Sequence, residues 1–284
     1  MPDLHAASDD PRLRRLEAVL RDYGPTLTAF SGGVDSTLVA AVSARVHGDA
    51  ALAVTGISAS LAASERHFAA EVARELGLRH RELNTEEMQR EGYRANAGDR
   101  CYYCKSELFE RLVELARNEG LAAVASGENL DDLNGHRPGL KAARELGVQK
   151  PLVDAEIDKT TVRELAAALG LPNHQKPAAP CLASRVPAGT RVSPEILASI
   201  EAAEAGLREL GFSVFRVRHH GEVARVEIAT AEMPRALELR REIHARVRKA
   251  GYAFVALDLA GFRSGSLNVL NPSELPLRVV GGAK

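Results

Sequence analysis

"TAFSGGVDSTLVAA", Thr28 to Ala41, runs from an apolar stretch into two glycines, an aspartate and two hydroxyl residues, then turns apolar again. The run before the glycines reads as a short buried strand, Leu27–Phe30, and the run after them as a helix from about Ser36. A strand that passes into a helix through glycines places the turn beyond the carboxyl end of a sheet, where doubly wound folds bind ligands. Gly32 and Gly33 let backbone amides approach an anion, Ser31 and Ser36 offer hydroxyls, and the helix presents its positive N-terminal end. A phosphate suits such a turn. The plainer alternative, a glycine turn with Asp35 or Ser36 as N-cap, explains single residues but not the whole string. Neither a Walker loop nor a G-x-G-x-x-G fingerprint is present.

Outward from this turn the pattern alternates. A helix is predicted around Arg12–Tyr23, strands at Ala51–Ile57, Arg79–Leu83 and Leu121–Gly127, and helices at Ala62–Leu76 and from near Cys104, with two more helices beyond the last strand. Strands separated by helices of this length imply an α/β fold, a doubly wound parallel sheet covered on both faces. The order changes after "LPNHQKPAAPCLASRVPAG", Leu171–Gly189, whose four prolines preclude regular helix and mark a long loop. Beyond it, a helix at Pro194–Leu210, strands at Ser213–His219 and Val223–Ala229, a long helix at Pro234–Ala250 and a strand at Tyr252–Leu259 indicate a smaller α+β domain. The expected domains are therefore 1–180 and 181–284.

The composition narrows the function. In 284 residues, 45% hydrophobic and 26% charged, no apolar run approaches the roughly 20 residues that cross a bilayer. The N-terminal stretch lacks the apolar core of a signal peptide, so a cytoplasmic location with no membrane partner is expected. A net charge of -1 speaks against a nucleic-acid partner, which needs a concentrated basic surface. Residues 181–284 carry 15 Lys and Arg against 11 Asp and Glu, which suits a small phosphorylated ligand. Three cysteines, Cys101, Cys104 and Cys181, are too few and odd in number for a disulfide framework, leaving metal or reactive-thiol roles.

"SGGVDS" resembles the pyrophosphate loop (PP-loop) of the N-type ATP pyrophosphatases, enzymes of adenine nucleotide alpha hydrolase-like fold that include GMP synthetase, NAD synthetase, argininosuccinate synthetase and tRNA thiolation enzymes. Three further segments, "GDRCYYCKSELF", "ASGENLDDLNGHRPGLKAARELGVQKPL" and "KPAAPCLASRVPAGTRVS", extend the resemblance over nearly the whole chain. Together they are similar to the ATP-dependent sacrificial sulfur transferases of the LarE family, which help build the nickel-pincer cofactor of lactate racemase. That resemblance implies adenylylation of a carboxylate of pyridinium-3,5-biscarboxylic acid mononucleotide and replacement of its oxygen by sulfur. ATP makes chemical sense here, because an acyl-adenylate releases AMP where a carboxylate oxygen would not leave.

On this reading Ser31, Gly32, Gly33, Asp35 and Ser36 stabilise the departing pyrophosphate, with Mg²⁺ bridging its oxygens and Asp35 near the metal. Gly127, Asn129, Asp131 and Asp132 follow a predicted strand and so share this rim, and Arg137 is a candidate phosphate partner. An Asx turn opening the next helix is the alternative for that cluster. The sulfur comes, in some family members, from one cysteine that becomes dehydroalanine, and Cys181 matches it. Others hold a [4Fe-4S] cluster on three thiolates, and Cys101 and Cys104 match the additional pair. An iron without a protein ligand would then take an exogenous sulfide or persulfide. Zinc, with His174 as a fourth ligand, or inert thiols remain open. Tyr102 and Tyr103 shield a cluster or simply pack; Lys105 touches phosphate or is solvated.

In the C-terminal domain, alternation along "VFRVRHH" puts Arg216 and Arg218 on one face, opposite Phe215 and Val217. The arginines resemble the family's pair that grips substrate phosphate, the alternative being a solvated sheet face. Ser184 and Arg185, beside Cys181, are expected to orient substrate, and Glu204, Glu227 and Glu232 are weaker candidates, acids of a kind that is most often exposed. The resemblance also implies a homo-oligomer. Two other readings are a tRNA 2-thiolation enzyme, which the near-neutral charge opposes, and a non-catalytic iron–sulfur or zinc carrier, which the complete loop opposes.

Overall fold

The structure is a computed structural model that describes residues 9–133, 138–263 and 265–267. In chain order it contains α1 (Pro11–Tyr23), β1 (Thr26–Ala29), α2 (Val34–His47), β2 (Leu52–Ile57), α3 (Ala63–Glu75), β3 (His80–Asn84), α4 (Glu91–Ala95), α5 (Arg100–Asn118), β4 (Ala123–Ala125), α6 (Pro138–Glu145), α7 (Pro151–Asp154) and α8 (Lys159–Ala168). There follow α9 (Pro194–Glu209), β5 (Phe215–His220), β6 (Val223–Ile228), α10 (Met233–Glu238), α11 (Arg240–Lys249) and β7 (Phe254–Leu257). Two compact units share these elements. The described residues up to Arg90 group with Cys101–Pro180, and Glu91–Arg100 groups with the residues from Cys181 onward.

In the first unit four parallel strands lie in the order β3-β2-β1-β4. The chain lays down β1, β2 and β3 towards one edge, then returns to place β4 on the other side of β1. That reversal opens a crevice between the loops after β1 and β4. Both sheet faces are covered, as the α/β reading expects. Leu13, Leu16 and Leu20 of α1 recur at helical spacing and pack with α2, α3 and α8 in one apolar cluster; Phe109, Leu112 and Ala116 of α5 pack on Leu27, Leu52, Val54 and Val124 in another. Local chemistry sets the helix starts. Asp10 and Asp158 accept the backbone N–H of Arg12 (2.8 Å) and Thr161 (2.7 Å), and Pro11 occupies the first turn of α1. α2 is buried almost all round, from Ser36 through Ser43, which is why its sequence shows no polar stripe.

The second unit carries a three-stranded sheet in the order β5-β6-β7, antiparallel between β5 and β6 and parallel between β6 and β7. α9 packs on β5 and α11 on α9. Gly221, at φ +63°, turns β5 into β6.

Three boundaries differ from the sequence expectation. α5 begins at Arg100 where the expectation started it near Cys104, so Cys101 lies on the helix as well, one turn before Cys104. The fourth strand is confined to Ala123–Ala125 because its pairing with β1 ends at Thr28. The single helix expected at Pro234–Ala250 is two, α10 and α11, joined at Leu239 with ψ 19°. α10 buries Ala236 while α11 buries Ile243 and Val247, and no proline or glycine announces the break.

Because α2 is enclosed on every side, shortening a side chain there leaves a void. Leu38→Ala is expected to lower the free energy of unfolding by about 2–5 kcal/mol, measured by urea denaturation.

Candidate functional site

The crevice between β1 and β4 is a cavity of about 580 Å³, within the size range of small-ligand sites. Its walls are chemically divided. Phe30, Val54, Gly56, Leu61 and Leu108 form an apolar slot, whereas Ser31, Asp35, Ser36, Gly127, Glu128 and Asp132 line the rest. The apolar slot suits a flat heterocycle by its chemistry, and the polar end suits phosphates.

The polar end is built by the glycine turn. Gly32 sits at φ +68°, and a Cβ there would lie 2.9 Å from Ala69 Cα, so only glycine follows this path against α3. No side chain caps the amides that open α2, which leaves the helix end to an incoming anion. Ser31 and Ser36 knit the turn. The Ser31 N–H donates to Ser36 Oγ at 3.2 Å, and the Ser36 hydroxyl donates to the Gly33 carbonyl at 3.1 Å. Gly127 earns its place sterically, since a Cβ there would stand 2.7 Å from Ser36 N. Ser31, Asp35 and Ser36 reach the cavity surface, and the Gly33 N–H donates to the Ser31 hydroxyl at 3.3 Å.

Asp35 is held by two donors from distant parts of the chain. Asn129 Nδ2 donates to Asp35 Oδ1 at 2.9 Å, and Lys159 Nζ, at the start of α8, pairs with Asp35 Oδ2. The expected Asx geometry after β4 is also present. Asp132 Oδ2 accepts the Asn129 N–H at 3.1 Å, and Asn129 Oδ1 accepts the Asp131 N–H at 3.0 Å. The same cluster thus shapes the turn and anchors Asp35. Lys159 was missed in the sequence because it stands 124 residues from Asp35 in no motif. Arg137 lies outside the described residues.

The cysteines divide between the units. Cys101 is exposed, lines the cavity and lies one helical turn from the partly buried Cys104; Cys181 is partly buried and belongs to the second unit. None of the three is joined in a disulfide. Among the described residues no group of three or more His, Cys, Asp or Glu side chains is gathered as a metal site. His174 directs Nδ1 at the Leu171 carbonyl, 3.0 Å away. Tyr102 donates to Glu145 at 2.7 Å and meets Tyr103 edge-on at 5.5 Å, a packing role. Lys105 lines the cavity.

In the second unit the charged sheet face is covered, not solvated. Arg218 and Glu227 are 5% and 0% exposed and pair at 2.9 Å. Arg185 and Glu204 are equally buried and joined by two parallel bonds of 3.0 Å. The carboxylates expected at the surface are therefore the inner partners of arginines, except Glu232, which is partly exposed beside Arg235. Arg185 also donates to the Cys181 carbonyl and Ser184 Oγ, both at 3.0 Å, and Arg218 donates to the Ser184 carbonyl at 3.3 Å. These bonds fix the 3₁₀ turn that carries the thiol. Arg216 differs. It is half-buried, donates to the Phe215 carbonyl at 2.6 Å and lies over the Phe262 ring, with no carboxylate paired to it among the described residues. Burial, then the neighbouring Arg185 guanidinium, push its pKa below the ordinary arginine value, with Glu204 acting the other way. Such a position favours an arriving anion.

Comparison with known proteins agrees with this geometry. Residues 16–179 match the asparagine synthase family model, which covers the first unit from α1 to the segment before Cys181. The chain is 39% identical over 254 residues to pyridinium-3,5-bisthiocarboxylic acid mononucleotide synthase of Lactiplantibacillus plantarum, spanning 89% of this chain and 92% of that one. The chain belongs to the LarE family. It is an ATP-dependent sulfur transferase of the PP-loop superfamily. The family relationship also reaches an uncharacterized protein of Synechocystis sp., 40% identical over 261 residues, spanning 91% of this chain and 97% of the relative. A protein of Methanocaldococcus jannaschii is 31% identical over 169 residues, 60% of this chain and 66% of its own. Among the described residues no helix is long and apolar enough to cross a membrane.

Two substitutions test the two halves of this description. Gly127→Ala drives a methyl into the Ser36 amide and is expected to raise the KM for ATP by about tenfold or more while the far-ultraviolet circular dichroism is unchanged. Glu204→Ala leaves Arg185 buried without its carboxylate and is expected to cost about 3–5 kcal/mol of stability, read from chemical denaturation.

Proposed function

We propose that the protein adenylylates a carboxylate of pyridinium-3,5-biscarboxylic acid mononucleotide and converts it to a thiocarboxylate, a step in assembly of a nickel-pincer nucleotide. The observation that carries this reading is the divided cavity, an apolar slot leading to uncapped helix amides and to Asp35, together with the name of the Lactiplantibacillus relative.

A substrate carboxylate oxygen attacks the α-phosphorus of ATP, and the bond to the bridging oxygen breaks as pyrophosphate leaves. Amides at the start of α2 and the Ser31 and Ser36 hydroxyls stabilise the charge that accumulates on the leaving group. Lys159 adds a cation at the same rim. Asp35, and Asp132 beside it, supply the carboxylates suited to Mg²⁺ or its waters. The acyl-adenylate then carries a good leaving group, and a sulfur nucleophile displaces AMP at the carbonyl carbon. Arg216, with no carboxylate paired to it among the described residues, is the group in the second unit best suited to the substrate phosphate, with Arg218 beside it, while Arg185 and Ser184 hold the Cys181 turn.

For the sulfur source, the three cysteines, none of them in a disulfide, fit a [4Fe-4S] cluster in the chemistry of the donor set, and Cys101 and Cys104 have the one-turn spacing of a shared ligand pair. Cys101, Cys104 and Cys181 would hold it, and the cluster when bound would supply an iron open to exogenous sulfide or persulfide. Cys181 acting alone is the competing chemistry. Its thiolate would add to the acyl carbon with loss of AMP, and cleavage of its Cβ–Sγ bond with loss of the α-proton would leave dehydroalanine. A homo-oligomer and a cytoplasmic setting complete the proposal.

The test is anaerobic purification, then ATP, Mg²⁺, sulfide and the biscarboxylic acid mononucleotide, with AMP, pyrophosphate and thiocarboxylate measured together. Repeated turnover with iron and acid-labile sulfide present, and Cys181 intact by mass spectrometry, is expected. A single turnover, with Cys181 converted to dehydroalanine and its sulfur recovered in the thiocarboxylate, would replace the cluster by sacrifice. AMP formed only with tRNA, or none formed, would overturn the substrate assignment.

A further inference from the structure

The pyrophosphate loop is restrained from outside the cavity by Asn173, in the segment after α8. This side chain is 2% exposed. Its Nδ2 donates to the Gly32 carbonyl at 2.9 Å and to Thr37 Oγ1, in α2, at 2.8 Å. The Thr37 N–H closes the circuit by donating to the Gly33 carbonyl at 2.9 Å. Asn173 Oδ1 is buried without a partner among the described residues.

The Gly32 carbonyl and the Gly33 N–H are opposite ends of one planar peptide unit. Fixing the carbonyl on Asn173 therefore turns the Gly33 N–H the other way, where it meets the exposed Ser31 hydroxyl of the cavity wall at 3.3 Å. Gly32 must be glycine to pass Ala69, and a Gly-Gly peptide is the easiest in a chain to rotate. The residue types that give the loop its shape thus fail to fix which way its amide points.

We propose that Asn173 is a positioning residue for the adenylylation step, locking the Gly32–Gly33 peptide so that the Gly33 N–H is aimed at the β- and γ-phosphates of ATP. The proposal rests on the loop being the pyrophosphate cradle. It acts on the polyphosphate end of the nucleotide and leaves the slot for the base untouched.

Equilibrium binding of Mg²⁺-pyrophosphate, Mg²⁺-ATP and AMP to the full chain separates this from a general structural role. In Asn173→Leu, the Kd for pyrophosphate and ATP is expected to rise about tenfold or more, while that for AMP stays within about twofold. Asn173→Asp, of the same shape, sets a carboxylate oxygen against the Gly32 carbonyl and is expected to show the same selective loss, so the test survives if the leucine variant does not fold. Wild-type pyrophosphate affinity in Asn173→Asp, or equal weakening of AMP and pyrophosphate, would overturn the lock. Failure of the unsubstituted protein to bind ATP or pyrophosphate would instead overturn the cradle itself.

Discussion

The first unit depends on an electrostatic opening: a helix that begins without a capping side chain at the end of the central strand of a parallel sheet. Four amides at a helix start need acceptors, and among the described residues only the Gly33 N–H has one, the Ser31 hydroxyl at 3.3 Å, so the positive end of α2 is available to a polyanion. Several features are tolerable only because of it. Gly32 accepts a left-handed backbone, Gly127 gives up a side chain, and Asp35 is tied down by Lys159 and Asn129. The strand order supplies the crevice, and the apolar slot beside it gives the nucleotide an orientation.

The second unit solves a different problem. It buries two arginine–carboxylate pairs, an arrangement that contributes little net stability but is expensive to break. Its visible effect is local order, since the same guanidiniums hold the Cys181 and Ser184 carbonyls. A thiol on a loop is thereby given a fixed backbone. Arg216 is the cation of this group that no carboxylate among the described residues neutralises.

Periodicity made most elements legible, because strands and helices of the first unit alternate with clear turn chemistry and the glycine turn lies where a doubly wound sheet requires a site. Charge in the second unit was not legible from alternation. The pattern placed Arg216 and Arg218 on one face correctly, but whether that face meets water depends on the 3₁₀ turn folded over β5, which no local signal encodes. Lys159 and Asn173 escaped for the same reason: each acts on the glycine turn across more than 120 residues of sequence. The split at Leu239 had no breaker residue to mark it. The cysteines and arginines were singled out by the family segments and not by spacing, which leaves zinc, cluster and thiol chemistry open.

The central claim is that the turn from Ser31 to Ser36 grips the polyphosphate of ATP. A crystal structure with Mg²⁺ and an ATP analogue blocked between the α- and β-phosphates tests it most directly. The account predicts the β- and γ-phosphates on the amides that open α2 and the base in the slot of Val54, Gly56 and Leu108. A nucleotide bound with its phosphates away from those amides would contradict it.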